Sequence, residues 1–389
     1  MNANPNLTSI MIRGYKPFGD FLAKIGSLEV IAGSNGSGKT SLFEFLKFLR
    51  DSLNQNIPPE IIWDSIGQQI FHNPREEKLL WNIEVDFPQK YQIEYEGNLF
   101  GPVGNPRMVS EHVMALPSEG VEPYFFMMVK DREGYMQDPE LEKPQNVART
   151  NPSQLALNMA VNPTIVTLYN LREYILKWQF YSAFNIANDK IRRSVLIEQD
   201  PILRRDAGNI SSLLHFLMTQ HHSAFDELQQ VLRLVIPGFK ELKVRAYGGL
   251  GEVMAFWQED GVDNILSLAD LSDGILRFLC WAVLCLQPNP PSLICIDEPD
   301  IGLHPRTLPI LAGLFEKACE RTQILITTHS SYFLKQFDLS RIAVMRKENG
   351  EVKFLKPVNS KVLIENLKDF GQEEIELMHQ NDELELFAK

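Results

Sequence analysis

An eight-residue segment near the N-terminus limits the fold more than any other feature of the chain. It reads GSNGSGKT and spans residues 33–40. Residues 28–32 before it form a strand-like run, and leucine and phenylalanine recur at helical spacing after it. The helical face would consist of Leu42, Phe45, Leu46, Leu49 and Leu53. Strand, glycine-rich loop and helix in this order predict an α/β fold with a phosphate-binding loop.

The loop residues have distinct predicted roles. Glycines let backbone N–H groups turn inward around a β-phosphate, and the helix N-terminus adds positive potential. Lys39 would neutralise the β- and γ-phosphates and assist catalysis, and the Thr40 hydroxyl would bind Mg²⁺. The predicted nucleotide-binding residues here are Gly33, Ser34, Asn35, Gly36, Ser37, Gly38, Lys39, Thr40 and Ser41.

A pair of acids follows a second apolar run, in the segment ICIDEPDIGLHP at residues 294–305. Residues 293–296 are typical of a central parallel strand that is covered on both faces. Asp297 would leave its carboxyl end, where open α/β sheets bind ligands, and would hold Mg²⁺ through water. Glu298 would polarise the attacking water as the general base. The second acid favours hydrolysis over nucleotide storage.

Two further segments complete the candidate site. QILITTHSSYFL (residues 323–334) predicts another buried strand, which His329 follows at the position of a γ-phosphate sensor. Leu271-Ser272-Asp273-Gly274 precedes an apolar helix, and it lies about 20 residues before the acid strand. By itself this tetrapeptide also fits an ordinary turn and helix cap.

Composition excludes several classes of protein. The 389 residues are 44% hydrophobic and 23% charged, with a formal net charge of −12, which argues against a protein coated with basic side chains for nucleic acid. DKIRRS (189–194) and LRRDAG (203–208) remain candidates for local DNA contact, although such runs usually form solvated helix surface.

We expect a cytoplasmic protein without a membrane partner, because no signal peptide is visible and the apolar run 278–286 is about half of a membrane span. The cysteines lie in apolar surroundings and are expected to be buried and reduced.

In the order in which they occur along the chain, the motifs resemble those of an ABC-class ATPase head. GSNGSGKT resembles Walker A, LSDGI the signature, LICIDEP Walker B, DIGLHP the D-loop, and TTHS the segment with the switch histidine. The variant signature and the GLHP after Walker B are similar to the RecF/SMC/OLD-like branch and its compact bacterial AAA family ATPases. The resemblance implies an α/β P-loop NTPase fold with an antiparallel β-subdomain and a helical insertion.

The resemblance also implies a mechanism based on a dimer. Ser272 and Gly274 of one subunit would contact the γ-phosphate of ATP bound by the other subunit, and Asp300 and Gly302 would lie along the dimer seam. Binding of ATP and Mg²⁺ would thus drive homodimerisation, and hydrolysis assisted by Glu298 would release it.

The 250 or so residues between Walker A and Walker B should be globular, because prolines recur and no heptad pattern persists. Strands are expected in residues 79–130, helices in 153–235 including 164–184, and a hairpin in 240–260. The predicted segments are an N-terminal ATPase lobe (1–150), a helical insertion (151–240), a C-terminal ATPase lobe (241–345), and a strand with an acidic tail (346–389).

Some assignments stay open at this point. Gln69 and Gln92 are both candidates for the Q-loop glutamine, and Pro305 and Pro309 both suit the first turn of a helix. The histidines show no metal-ligand spacing and no nuclease constellation is visible, so nuclease activity is expected from a separate effector.

Two functional hypotheses follow. The first is an ATP-dependent switch in DNA repair or anti-phage defence, with a nuclease or another effector as partner and double-stranded DNA as a candidate ligand. The second is a regulatory or scaffold protein whose nucleotide state controls a protein partner without DNA contact, which the acidic balance favours. A transporter subunit fits less well, and the lack of an Asn-Lys-x-Asp motif favours adenine over guanine.

Overall fold

The computed structural model describes residues 4–55, 57, 71–72, 77–88, 91–101, 106–116, 122–141, 143–149, 151–184, 186, 189–371, 373–381 and 383–388. The chain divides into two compact units. The first consists of Met1–Trp178, Ser340–Glu365 and Asp382–Lys389, and the second of Gln179–Leu339 and Asn366–Asn381. The four-segment division expected from the sequence stays a prediction.

Strands and helices alternate irregularly along the chain. The strands are β1 (Asn6–Tyr15), β2 (Phe18–Lys24), β3 (Leu28–Ala32), β4 (Lys78–Phe87), β5 (Tyr91–Phe100), β6 (Arg107–Ala115), β7 (Tyr124–Lys130), β8 (Glu133–Met136), β9 (Gln145–Ala148), β10 (Gln179–Ser182), β11 (Val195–Leu196), β12 (Phe239–Ala246), β13 (Glu252–Glu259), β14 (Leu266–Ser267), β15 (Leu293–Asp297), β16 (Gln323–Thr327), β17 (Ile342–Glu348) and β18 (Glu351–Leu355). The helices are α1 (Lys39–Ser52), α2 (Val166–Leu176), α3 (Ile210–Gln220), α4 (His222–Val235), α5 (Asp273–Leu286), α6 (Leu308–Ala318), α7 (Ser331–Leu334), α8 (Lys361–Phe370), α9 (Glu374–Gln380) and α10 (Glu383–Phe387).

An antiparallel sheet dominates the first unit, with the strand order β2-β1-β4-β5-β6-β7-β8-β9. The apolar residues of β4 alternate with polar ones, so that one face of the sheet is buried. On that face the ring of Trp81 lies 5.8 Å from Phe48 and 6.5 Å from Phe45, both on α1. These edge-on aromatic contacts fix α1 against the sheet. The predicted β-subdomain is confirmed.

A second group of strands in the first unit leads into the glycine-rich loop. All five residues of β3 are buried, and β3 pairs in parallel with β17, which pairs antiparallel with β18. The strand is covered on both faces, and its one charged residue, Glu29, is buried and pairs with Lys356. The chain leaves β3 at the start of the loop, and α1 begins at Lys39.

In the second unit β10, β15 and β16 are neighbouring parallel strands, and the register pairs Asp297 with Thr327. The predicted helix over residues 164–184 is therefore partly wrong: α2 ends at Leu176, and residues 179–182 form β10. An aromatic run such as Phe180-Tyr181 fits a buried strand as well as a helix, and pairing with β15 decides for the strand.

The remaining elements of the second unit flank these strands. The predicted hairpin over residues 240–260 is confirmed as β12 and β13, with β11 and β14 paired to β13. In the described part of the chain, no helix is long and apolar enough to cross a membrane. Cys280, Cys285 and Cys295 are buried as expected, whereas Cys319 is partly exposed; burial raises the pKa of the Cys280 and Cys285 thiols.

Candidate nucleotide site

The glycine-rich loop of the first unit has a backbone that only glycines adopt easily. Gly33, Gly36 and Gly38 have φ values of 149°, 80° and 98°, in the region that L side chains rarely occupy. Ser34, Asn35 and Gly36 are exposed at the turn, whereas Ser37 is buried. The Ser37 N–H closes the turn by donating to the carbonyl of Ser34 at 3.2 Å.

Lys39 is folded back over this loop. Its Nζ donates to the carbonyl oxygens of Gly33 at 2.6 Å and Ser34 at 3.2 Å, and only 6% of the residue is exposed. The ammonium group is thus held beside the loop. The loop backbone is open at Gly36, because no atom lies within 4 Å of the position that a Cβ would take there. Thr40 follows, exposed, in the first turn of α1. A positive charge, open backbone and a hydroxyl together fit a polyphosphate with Mg²⁺.

Asp297 is the last residue of β15 in the second unit. Thr327, at the end of β16 and fully buried, donates its hydroxyl to Oδ1 of Asp297. A fixed donor of this kind holds a carboxylate in one orientation, as the outer partners of metal ligands do. Asp297 therefore fits the role of a Mg²⁺ ligand.

Glu298 has a strained backbone with a φ of 54°. Its N–H donates to the Thr327 carbonyl at 3.0 Å, which fixes the turn at the end of the strand. His329 Nε2 lies 3.5 Å from Oε1 of Glu298, and the two side chains are 40% and 19% exposed. The structure therefore brings the expected acid and histidine together. Both can reach solvent, as a base and a γ-phosphate sensor require.

The segments that follow β15 and β16 are joined by a second hydrogen bond. The Thr328 hydroxyl donates to Oδ1 of Asp300 at 2.8 Å and accepts from the Ser330 N–H at 3.0 Å. Thr328 is fully buried. The segment with His329 is thus hydrogen-bonded to Asp300, the first residue of the segment that resembles a D-loop.

The signature segment (residues 271–274) leads into α5. Ser272 is exposed and caps the helix, since its Oγ accepts from the Ile275 N–H at 3.5 Å. A Cβ at Gly274 would lie 3.3 Å from the carbonyl oxygen of Gly302. Gly302 has a φ of 74°, and the guanidinium of Arg277 fills the space a Cβ would need there. The signature segment and the D-loop-like segment of one chain thus contact each other.

The structure shows the partners of three cations in the two basic segments. Arg192 contacts the signature segment, with Nη2 2.8 Å from Oδ1 of Asp273. Lys190 pairs with Asp206 at 3.2 Å, and Arg204 pairs with Glu198 at 2.6 Å. These three cations are matched with acids, and contact of the two segments with DNA stays a prediction. Sequence reasoning missed Arg192 because its partners lie 76–81 residues further along the chain.

Sequence reasoning also missed a cluster of three side chains on β5 and β6 whose ligand atoms could hold a metal ion. Glu96 pairs directly with His112 in the sheet register, and Glu94 is two residues along the same face. One ligand atom from each lies within 4.8 Å of the others. The local spacing of histidines could not indicate this group, because it spans two strands.

The open assignments are partly decided. Pro305 begins a 3₁₀ helix (Pro305–Thr307) and Pro309 lies in the first turn of α6, so each occupies its own helix start. Gln92 lies in β5, where it donates to Glu84 at 3.2 Å, and Gln69 lies outside the described residues. The role of either glutamine stays a prediction.

Comparison with known proteins decides the family. A family model described as "AAA domain, putative AbiEii toxin, Type IV TA system" matches residues 141–335, half of the chain. The chain belongs to this family of AAA domains. No curated protein matches it.

Solved structures with a similar fold are heads of SMC proteins. An Smc head bound to the C-terminal winged-helix domain of ScpA has a TM-score of 0.55 at 12% identity, covering 90% of this AAA domain protein and 96% of that chain. An Smc head with an extended coiled coil, bound to the C-terminal domain of ScpA from Pyrococcus furiosus, has a TM-score of 0.55 at 11% identity, covering 94% and 100%. The AAA domain protein therefore has the fold of an ABC-class ATPase head of the SMC/RecF-like type, which confirms the predicted fold class.

Proposed function

We propose that this AAA domain protein binds ATP with Mg²⁺, dimerises around it, hydrolyses it, and so acts as a switch in a DNA-directed process such as repair or anti-phage defence. The observation that carries the proposal is the pairing of Glu298 with His329 beside an oriented Asp297, in a chain that also has a complete phosphate loop. Storage of a nucleotide would not require a solvent-accessible base.

Each residue has a distinct role in the proposed reaction. Residues 33–41 bind the triphosphate, and Lys39 leaves its carbonyl partners to neutralise the β- and γ-phosphates. Thr40 and Asp297 would hold Mg²⁺, which when bound neutralises charge on the β- and γ-oxygens. Glu298 accepts a proton from the attacking water, and His329 contacts the γ-phosphate.

The switch depends on a second copy of the chain. Ser272 and Gly274 would reach the γ-phosphate of ATP bound by the partner subunit, so association requires nucleotide. The helix N-terminus behind Ser272 supplies positive potential for this contact. Loss of the γ-phosphate removes the contact and releases the dimer.

The DNA-directed role and a separate effector such as a nuclease are inferred from the family. Its description names a putative toxin of a type IV toxin–antitoxin system, which suits a protein that acts in defence. The Smc heads in the comparison structures are bound to ScpA, and we infer that this chain also binds a protein partner.

The alternative is a regulatory or scaffold protein that controls a partner without contacting DNA. The pairing of Lys190, Arg192 and Arg204 with carboxylates favours it, because phosphate binding needs cations that are not already matched. The formal charge of −12 points in the same direction.

ATP hydrolysis by the purified chain tests both. We expect phosphate release that requires Mg²⁺ and is lost in Glu298→Gln and Lys39→Ala. Linear double-stranded DNA is then added at low and at high salt. Stimulation that fades as salt rises supports the DNA-directed role, whereas a rate indifferent to DNA supports the alternative. Hydrolysis that persists unchanged in Glu298→Gln would refute the assignment of the base.

A further inference from the structure

The signature segment is held by one arginine from a distant part of the chain. Nη1 of Arg192 donates to the carbonyl oxygens of Leu268, Ala269 and Leu271 at 3.2, 2.9 and 3.1 Å. Nη2 donates to Oδ1 of Asp273 at 2.8 Å. The Arg192 side chain is 21% exposed and that of Asp273 is 63% exposed, so the guanidinium is partly buried whereas its carboxylate partner faces solvent.

These contacts lie on both sides of Ser272. The carbonyl of Leu271 precedes it and the carboxylate of Asp273 follows it, and both bind the same guanidinium. A planar guanidinium with a fixed fork of donors can hold two such acceptors in one geometry, which a lysine ammonium cannot do. The position of the Ser272 hydroxyl is thereby tied to Arg192.

The turn before the signature segment is itself rigid. Ser267 and Asp270 form a reciprocal capping box around the 3₁₀ helix Leu268–Asp270. Hydrogen bonds from the Ser267 hydroxyl and N–H stabilise the charged form of the Asp270 carboxyl and lower its pKa. Arg192 binds the carbonyls of this turn, and the signature segment therefore begins from a fixed point.

On the other side, Gly274 packs against the D-loop-like segment. Its Cα faces the Gly302 carbonyl, and Arg277, one turn into α5, covers Gly302. The Gly302 carbonyl limits movement of the signature segment toward it, because an atom at the position of a Gly274 Cβ would lie only 3.3 Å from the carbonyl oxygen. Ser272 and Gly274 are thus confined from both directions.

We propose that Arg192 is a positioning residue that sets the orientation of Ser272 and Gly274 toward the γ-phosphate held by a second copy of the chain. The inference rests on the proposed function. Arg192 acts through the signature segment and not through DNA, because its donors already bind carbonyls and a carboxylate.

The test compares Arg192→Ala and Arg192→Lys with Arg204→Ala in the full chain. Arg204 is the matched control, since it is an exposed arginine of the neighbouring basic segment and pairs with Glu198. We expect kcat for ATP hydrolysis to fall about 10- to 100-fold in Arg192→Ala, the scale of a misplaced contact of about 1 Å. Binding of ATP to the monomer should change less than about twofold, because residues 33–41 bind it.

Two further readouts separate positioning from general loss of structure. Arg192→Lys should recover little of kcat although it keeps the charge, because a lysine cannot replace the fork. Adding Asp273→Ala to Arg192→Ala should lower kcat less than the two single effects combined, because the two residues act through one contact. If Arg192→Ala does not fold, Arg192→Gln takes its place.

The outcomes are distinguishable. A kcat for Arg192→Ala within about twofold of wild type, or full recovery by lysine, would overturn the role of Arg192. Equal losses in kcat and in monomer ATP affinity would also overturn it, since they indicate a general structural effect. Wild-type protein that hydrolyses no more ATP than Lys39→Ala would instead refute the proposed function.

Discussion

Replacing two glycines of the phosphate loop should have clearly different costs, although both have a positive φ. Gly36 has a φ of 80° and open space around the position of a Cβ. Alanine there pays only for the backbone conformation, about 1–2 kcal/mol. At Gly33, where φ is 149°, the added methyl would also overlap the Met345 carbonyl oxygen and lie 2.9 Å from the Ser37 Oγ.

The overlap at Gly33 is with backbone that cannot move freely. Met345 belongs to β17, which pairs with β3 up to Ala32, the residue just before Gly33. Overpacking of this kind costs about 1–3 kcal/mol in addition to the strained φ, so we expect a total of about 2–5 kcal/mol for Gly33→Ala.

Urea unfolding followed by circular dichroism measures the difference. With a slope of about 3 kcal/mol per molar urea, a difference of about 2 kcal/mol between the variants moves the midpoint by about 0.7 M. Gly36→Ala is the matched control. Equal midpoints for the two variants would refute the claim that the Met345 carbonyl of β17 leaves no room for a side chain at Gly33.

The two remaining predictions concern ligand binding. Lys39→Ala should lose ATP binding in calorimetry, because the variant lacks the cation that neutralises the phosphates; an unchanged affinity would contradict this. Thr327→Val should raise the Mg²⁺ concentration needed for half-maximal hydrolysis about 10- to 100-fold, because Asp297 loses the hydroxyl that orients it. Thr322→Val is its control, since Thr322 is also buried beside β16 but bonds the Pro291 carbonyl at 2.5 Å; similar Mg²⁺ requirements in both variants would contradict the role of Thr327.

Local segments of the sequence predicted much of the fold because their chemistry depends on neighbours in the chain. The loop at residues 33–40 and the acid pair at the end of β15 could be recognised in this way, and so could the strands of the antiparallel sheet that lie within residues 79–130. Strand β10 could not, because the aromatic run that forms it also fits a helix and only pairing with β15 distinguishes the two.

Contacts between distant segments account for most of what sequence reasoning missed. In the sequence Arg192 is one cation of a basic run. Nothing in that run predicts that its guanidinium binds the carbonyls of the turn before Ser272. The link between Thr328 and Asp300 likewise needs the register of β15 and β16. The strained φ of Glu298 depends on the turn after β15, which a one-dimensional pattern does not specify.

Light scattering of the Glu298→Gln variant tests the central claim most directly. With excess Mg-ATP we expect the molar mass to double, because the variant binds ATP and lacks the base that would release the dimer. The same variant without nucleotide, and Lys39→Ala with it, should remain monomeric. A Glu298→Gln protein that stays monomeric in Mg-ATP would contradict a switch based on nucleotide-dependent dimerisation.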